Sequence, residues 1–141
     1  MRARRGIQIS NAPVHAKDEI EGVIAAQARN PGGGFIVTPD GFNVVNRELI
    51  IALAARYGVP AIYWNRFFTE SGGLMTYGTN FVEQFRQAAG LIDRILKGEK
   101  PADLPIQAPT KFELVINLKA AKTLDLDVPP LLLGRADDVI E

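Results

Sequence analysis

The chain has 141 residues, 47% hydrophobic and 23% charged, an ordinary mixture for one folded domain and one that argues against global disorder. Its 16 basic and 16 acidic side chains cancel, so there is no net electrostatic footprint for nucleic acid or an anionic membrane. With no cysteine in the chain, disulfides, thiolate nucleophiles and cysteine-held zinc are excluded.

In chain order, the basic start Met1–Arg5 reads as a solvated, frayed terminus. The apolar stretch that would make it an export signal does not follow, and no apolar run approaches the roughly 18 residues needed to cross a bilayer. As written, the chain is expected to stay in the compartment where it is made, the cytoplasm. Residues 6–10 (GIQIS) read as a first strand. Asp18 and Glu21 have capping-box spacing, and Ile20, Val23, Ile24 and Ala28 recur at helical spacing. A glycine-rich turn over 30–34 ends that helix, and the run 35–38 (FIVT) reads as a strand buried on both faces.

Residues 47–57 form the next expected helix, with Leu49, Leu53 and Ala54 inward, Gly58 as a left-handed cap and Pro60 blocking continuation. Residues 60–64 are then a strand, Phe67 and Phe68 lie on a short turn or helix, and 74–77 form another strand. Asn80 and Glu83 repeat the capping spacing before the clearest helix in the chain, whose stripe is Phe81, Phe85, Ala88, Ile92, Ile95 and Leu96. Gly98 and Pro101 end it. Residues 112–116 read as a last strand, Asn117 as an N-cap, 118–124 as a short helix, and the tail as extended at Pro129-Pro130. Strands alternating with amphipathic runs predict an α/β fold with a mainly parallel sheet and flanking helices.

Chemistry-bearing motifs are few. Gly32–Gly34 follow a helix and precede a strand, the wrong order for a phosphate cradle. His15 is the only histidine and supports neither a triad nor a zinc site. The aspartates show no calcium-loop spacing and read as solvated surface, with one exception. Asp40 follows an apolar strand at its carboxyl end, where open α/β sheets bind ligands, although a helix cap uses the same position equally well. Tyr63, Trp64, Asn65 and Arg66 crowd the end of the next strand. Aromatic faces beside a guanidinium suit a small organic solute with a carboxylate or a ring, while core packing is the competing use of Tyr63 and Trp64. Tyr77 carries the same two readings; Thr38 and Thr76 are weaker candidates.

The blocks 73–78 (GLMTYG), 85–105 (FRQAAGLIDRILKGEKPADLP) and 111–122 (KFELVINLKAAK), together with 48–57 (ELIIALAARY) and 59–63 (VPAIY), stand in one order. That series resembles the closing part of ABC-importer substrate-binding proteins of the tryptophan/tyrosine type. The resemblance implies a type I periplasmic binding protein: two doubly wound, flavodoxin- or Rossmann-like lobes around a cleft that closes by a hinge. It implies that 1–72 are part of the second lobe, and that 73–141 return to the first lobe and cross back. Such a half leaves sheet edges and apolar faces open, so completion by another chain, as a homodimer joined by strand or helix exchange, is expected. The implied partners are a small solute such as an amino acid and, for the exported full-length protein, an ABC permease. The family's setting is the periplasm. By position, Asp40, Asn65, Arg66 and Tyr77 coincide with the strand-end ligand contacts that the resemblance implies; Tyr63 and Trp64 join the candidate ligand-binding set on their aromatic chemistry, and no metal, cofactor or catalysis is expected. A cytoplasmic effector-sensing or protein-interaction module is the alternative; an enzyme ranks last, for want of a nucleophile–base pair.

Overall fold

The computed structural model describes residues 6–141, and the basic Met1–Arg5 run lies outside them. Five strands and seven α-helices follow in the order α1 (Glu19–Ala28), β1 (Phe35–Val37), α2 (Gly41–Val45), α3 (Arg47–Arg56), β2 (Ala61–Tyr63), α4 (Arg66–Glu70), β3 (Met75–Thr79), α5 (Phe81–Leu96), β4 (Phe112–Asn117), α6 (Leu118–Thr123), α7 (Pro130–Leu133) and β5 (Asp138–Ile140). The strands form one sheet in chain order. Its β1–β2, β2–β3 and β4–β5 pairs are parallel, and β3–β4 is antiparallel. This is the α/β fold with a mainly parallel sheet that the alternation of elements predicts.

One face of the sheet carries the core. Ile20 and Ile24 of α1, Ile50, Ile51 and Leu53 of α3, Val59, Ala61 and Tyr63 of β2 and its approach, and Phe68 of α4 form a single buried cluster. Phe68 stacks on Tyr63 at 4.9 Å and on Phe67 at 4.7 Å between ring centroids. Gly58 and Gly98 take φ of +65° and +101°, as the left-handed ends of α3 and α5 require. Asp125 takes the same conformation after α6 without glycine's freedom, at φ +53°.

The other face is covered unevenly. The row Ile36, Ile62, Met75, Ile116 runs across four strands by register. Ile116 is fully buried, Ile62 and Met75 are half-buried, and Ile36 is 68% exposed. The expectation that β1 is buried on both faces is therefore corrected: it is the edge strand, and its second face lacks a covering layer among the described residues.

Other expectations change for local reasons. Residues 6–10 carry only an isolated bridge at Gln8, with both isoleucines exposed, because one alternating run without a continuous partner cannot hold a ladder. Asp18 makes no cap. The carboxylate of Glu19 instead accepts from the backbone N–H groups of His15 (2.8 Å) and Ala16 (3.2 Å), and Ala28 is exposed. Helices α2 and α7 and strand β5 add to the expected set; the extended Pro129 delivers Pro130 to the first position of α7, where its missing N–H costs nothing.

Candidate functional site

The carboxyl ends of β1, β2 and β3 point the same way because these strands are parallel, and the amino end of β4 joins them. Asp40, Trp64 and Asn65 lie just beyond those ends, whereas Tyr77, expected at a strand end, is the middle residue of β3. In open α/β sheets this rim is where ligands sit.

Two of the polar residues there are already used by the fold. The Asp40 carboxylate accepts from the backbone N–H of Phe42 at 2.7 Å and caps α2. The Asn65 amide oxygen accepts from the Phe67 N–H at 3.1 Å and caps α4. Arg66 is a structural tie. Its Nε donates to Glu70 at 2.8 Å, one Nη donates to Asp138 of β5 at 2.8 Å, and the other lies 3.5 Å from Glu113 of β4. The hydrogen bond to Glu70, reinforced by Asp138 and the nearby Glu113 charge, raises the guanidinium pKa further. Three carboxylates around one guanidinium leave the cation no surplus charge for a solute carboxylate.

Tyr63 is 2% exposed, and burial pushes its phenol well above the ordinary tyrosine range. The structure gives it a packing role beneath the rim.

The aromatic groups left at the rim are Trp64, Tyr77 and Phe112, the last not a site candidate in the sequence. Trp64 meets Phe67, Phe68 and Phe81 edge-on at 5.7, 6.3 and 5.6 Å. Its indole Nε1 is buried and has no hydrogen-bond partner. An orphan buried donor is rare enough to need a reason. Tyr77 is 61% exposed and stacks at 5.9 Å on the half-exposed Phe112 of β4. Phe112 escaped sequence reading because only the antiparallel register, which sets Tyr77 against Leu114 and Thr79 against Phe112, brings it near Tyr77.

Beneath the rim, buried polar groups lock β3 and β4 to α4. The hydroxyls of Thr69 and Thr76 lie 2.6 Å apart, Thr76 donates to the Asn65 carbonyl at 2.9 Å, and the Asn117 amide donates to the Thr69 carbonyl at 3.1 Å. Asn117 also caps α6 through its oxygen, as its position in the sequence suggests. Thr76 is thus a structural residue, fully buried, and the exposed Thr38 lends its carbonyl to the Asn43 amide at 3.0 Å. Gly78 lies so near the neighbouring strand that a Cβ would fall 1.8 Å from the Trp64 carbonyl oxygen.

Among the described residues, no group of three or more His, Asp or Glu is placed to hold a metal ion, and no helix is long and apolar enough to cross a membrane.

The sequence matches the family described as "ABC transporter substrate binding protein" over residues 1–140. No curated protein sequence matches it. Several solved structures share its fold. A conserved domain protein from Vibrio cholerae O1 biovar El Tor has a TM-score of 0.82 at 23% identity, covering 96% of this chain and 46% of that one. An ABC domain from Streptococcus pneumoniae in complex with L-Trp has a TM-score of 0.84 at 23% identity, covering 96% and 45%. The ligand-free, open structure of CD0873, a substrate-binding protein with adhesive properties from Clostridium difficile, has a TM-score of 0.68 at 17% identity, covering 97% and 45%. The chain therefore spans less than half the length of these relatives.

Proposed function

Since this chain belongs to the ABC transporter substrate binding protein family, we propose that it is part of the solute-binding component of an ABC importer, with its strand-end rim as one wall of the binding cleft. The family is one of binding, not catalysis, and is usually periplasmic. The solute class is a small organic molecule such as an amino acid; the L-Trp held by the pneumococcal neighbour supports that choice. The permease of the importer is the proposed protein partner.

One observation carries the reading: the buried, unpartnered Nε1 of Trp64, set among aromatic rings at the carboxyl end of β2. A donor in that position costs free energy until something accepts from it, and a solute carboxylate or carbonyl does so. Tyr77 and Phe112 offer exposed rings to the apolar part of the same solute. Asp40, Asn65 and Arg66 act in this reading as the frame that sets the rim, and Tyr63 as its floor.

The same reading divides the chain near residue 72. Residues 1–72 belong to the second lobe, and 73–141 leave it along β3, enter the first lobe through α5 and return along β4. In this reading the antiparallel β3–β4 pair is the crossing, and α5, none of whose residues is fully buried, is the part that left. In this reading the opposite wall of the cleft lies outside these 141 residues.

A calorimetric titration with aromatic and aliphatic amino acids, repeated on Trp64→Phe, tests the proposal. Binding of at least one amino acid, weakened about tenfold when the donor is removed, is expected. Absence of heat and of thermal stabilisation with every amino acid, where saturation at 100 Kd should add about 2.7 kcal/mol, overturns it.

A further inference from the structure

Among the described residues Glu113 is the only charged one that is buried, at 8% exposed. A carboxylate taken out of water is costly unless it is paired, so its partners identify its use. Both reach the same oxygen. Asn80, at the head of α5, donates its amide to Glu113 Oε2 at 3.2 Å, and Arg66, at the start of α4, brings a guanidinium nitrogen to 3.5 Å from it. Glu113 itself stands on β4, opposite Gly78 of β3. One carboxylate thus joins α4, β4 and the entry to α5.

Each end of this relay is secured. Arg66 donates to Glu70 of its own helix and to Asp138 of β5, both at 2.8 Å. Asn80 uses its amide oxygen to accept from the Glu83 N–H at 3.0 Å and cap α5, while its backbone N–H donates to the Lys111 carbonyl at 3.1 Å. An asparagine side chain serves both ways because it carries an acceptor and a donor; an aspartate caps as well but has no proton to give.

The rest of α5 is weakly held. None of its residues is buried. Its ion pairs run within the helix or to Glu99 just past its end. Its aromatic tie to the body, Phe81 edge-on to Trp64 at 5.6 Å, is again in the first turn. The direction of the helix is therefore set where it begins.

We propose that Glu113 is a positioning residue: by holding Asn80 and Arg66 on one oxygen, it sets the angle at which α5 leaves the sheet, and with it the Phe81 ring that closes one side of Trp64. In the reading given above, where α5 goes over to the first lobe, that angle is the one between the walls of the cleft; only this consequence rests on that reading.

The chain has no cysteine, so cysteines put at the exposed Ala52 of α3 and Ala89 of α5 take spin labels at two chosen places. Double electron–electron resonance between them, with circular dichroism as the control for folding, measures the angle in the 141-residue chain. Ala89 lies about 14 Å along the helix from Asn80, so about 20° of tilt moves its label by about 5 Å. One narrow distance is expected in the labelled parent. Asn80→Ser keeps the cap and loses the donor, and should broaden the distribution to about twice its width. Asn80→Asp keeps the cap and sets a second carboxylate against Glu113, and should shift the distance by about 5 Å and the Trp64 emission with it. Adding Glu113→Gln to Asn80→Asp exchanges donor and acceptor and should bring both readouts back, which loss of a merely structural residue would not. A distance unchanged by Asn80→Ser and Asn80→Asp overturns the proposal, as does a double variant displaced as far as Asn80→Asp alone. Asn80→Ser, which adds no charge, decides the matter where Asn80→Asp disturbs folding. No solute enters these measurements, so a failed amino-acid titration would leave them standing.

Discussion

Phe68 and Phe85 are the same residue on two helices of one chain, and they live in opposite surroundings. Phe68 on α4 is fully buried and stacked on Tyr63 and Phe67. Phe85 on α5 faces water with five other apolar side chains on the same side of its helix. Both helices begin at an asparagine cap, Asn65 and Asn80, whose oxygen takes a backbone N–H of the first turn. The capping chemistry is equal; the partner layer is not. A helix forms on local rules, while its contribution to stability depends on what covers its apolar side. The body of α1 to α4 on β1 and β2 has that cover within the chain, and the α5 arm beyond β3 and β4 lacks it among the described residues.

The largest expected effect compares these two rings directly. Phe68→Ala should lower folding stability by about 3–5 kcal/mol, the loss typical of a buried aromatic truncated to a cavity. Phe85→Ala should change it by less than about 0.5 kcal/mol in the monomer, as an exposed site does. Urea unfolding of the two variants measures both. Equal losses would erase the distinction between body and arm.

The second effect concerns the joint between them. Gly78→Ala forces a methyl against the Trp64 carbonyl oxygen, with 1.8 Å between the atoms before relaxation. The strands must part, at about 1–3 kcal/mol, and the Trp64 environment must change with them. Trp64 is the only tryptophan in the chain, so its fluorescence reports the shift without ambiguity. An unchanged emission spectrum and unfolding midpoint would show that β3 is not pinned to β2 at that residue.

The smallest effect sits at the start of the body. Backbone N–H groups of His15 and Ala16 hold the Glu19 carboxyl below the ordinary glutamate range. A depressed folded-state pKa contributes stability that is present above the unfolded value of about 4.3 and lost as pH falls through the lower folded value. The entry to α1 should therefore loosen only in that acid range, seen as faster amide exchange at His15 and Ala16, and Glu19→Gln should abolish the pH dependence. A Glu19 titration at or above the ordinary value would refute the assignment.

Much of this was legible in advance, and the reasons differ by element. Asn80, Asn117, Gly58 and Gly98 act within four residues of themselves, so their caps are written locally. The stripe of α5 is likewise a matter of helical period. Asp40 and Asn65 were legible as rim residues, but the same oxygen suits a ligand or a cap, and only the observed bonds to Phe42 and Phe67 assign it to the cap. The employment of Arg66 was not legible, since its partners Glu113 and Asp138 are brought to it by strands far along the chain.

By itself the sequence determined where α1, α3, α5 and α6 lie, the α/β class, and the family to which the chain belongs, because these rest on near-neighbour chemistry and residue order. Tertiary structure alone decided which apolar faces are covered, which aromatic rings reach the rim, and that the Trp64 donor is left without an acceptor. Burial is a property of what packs on a side chain from elsewhere, and no local pattern of residues contains that information.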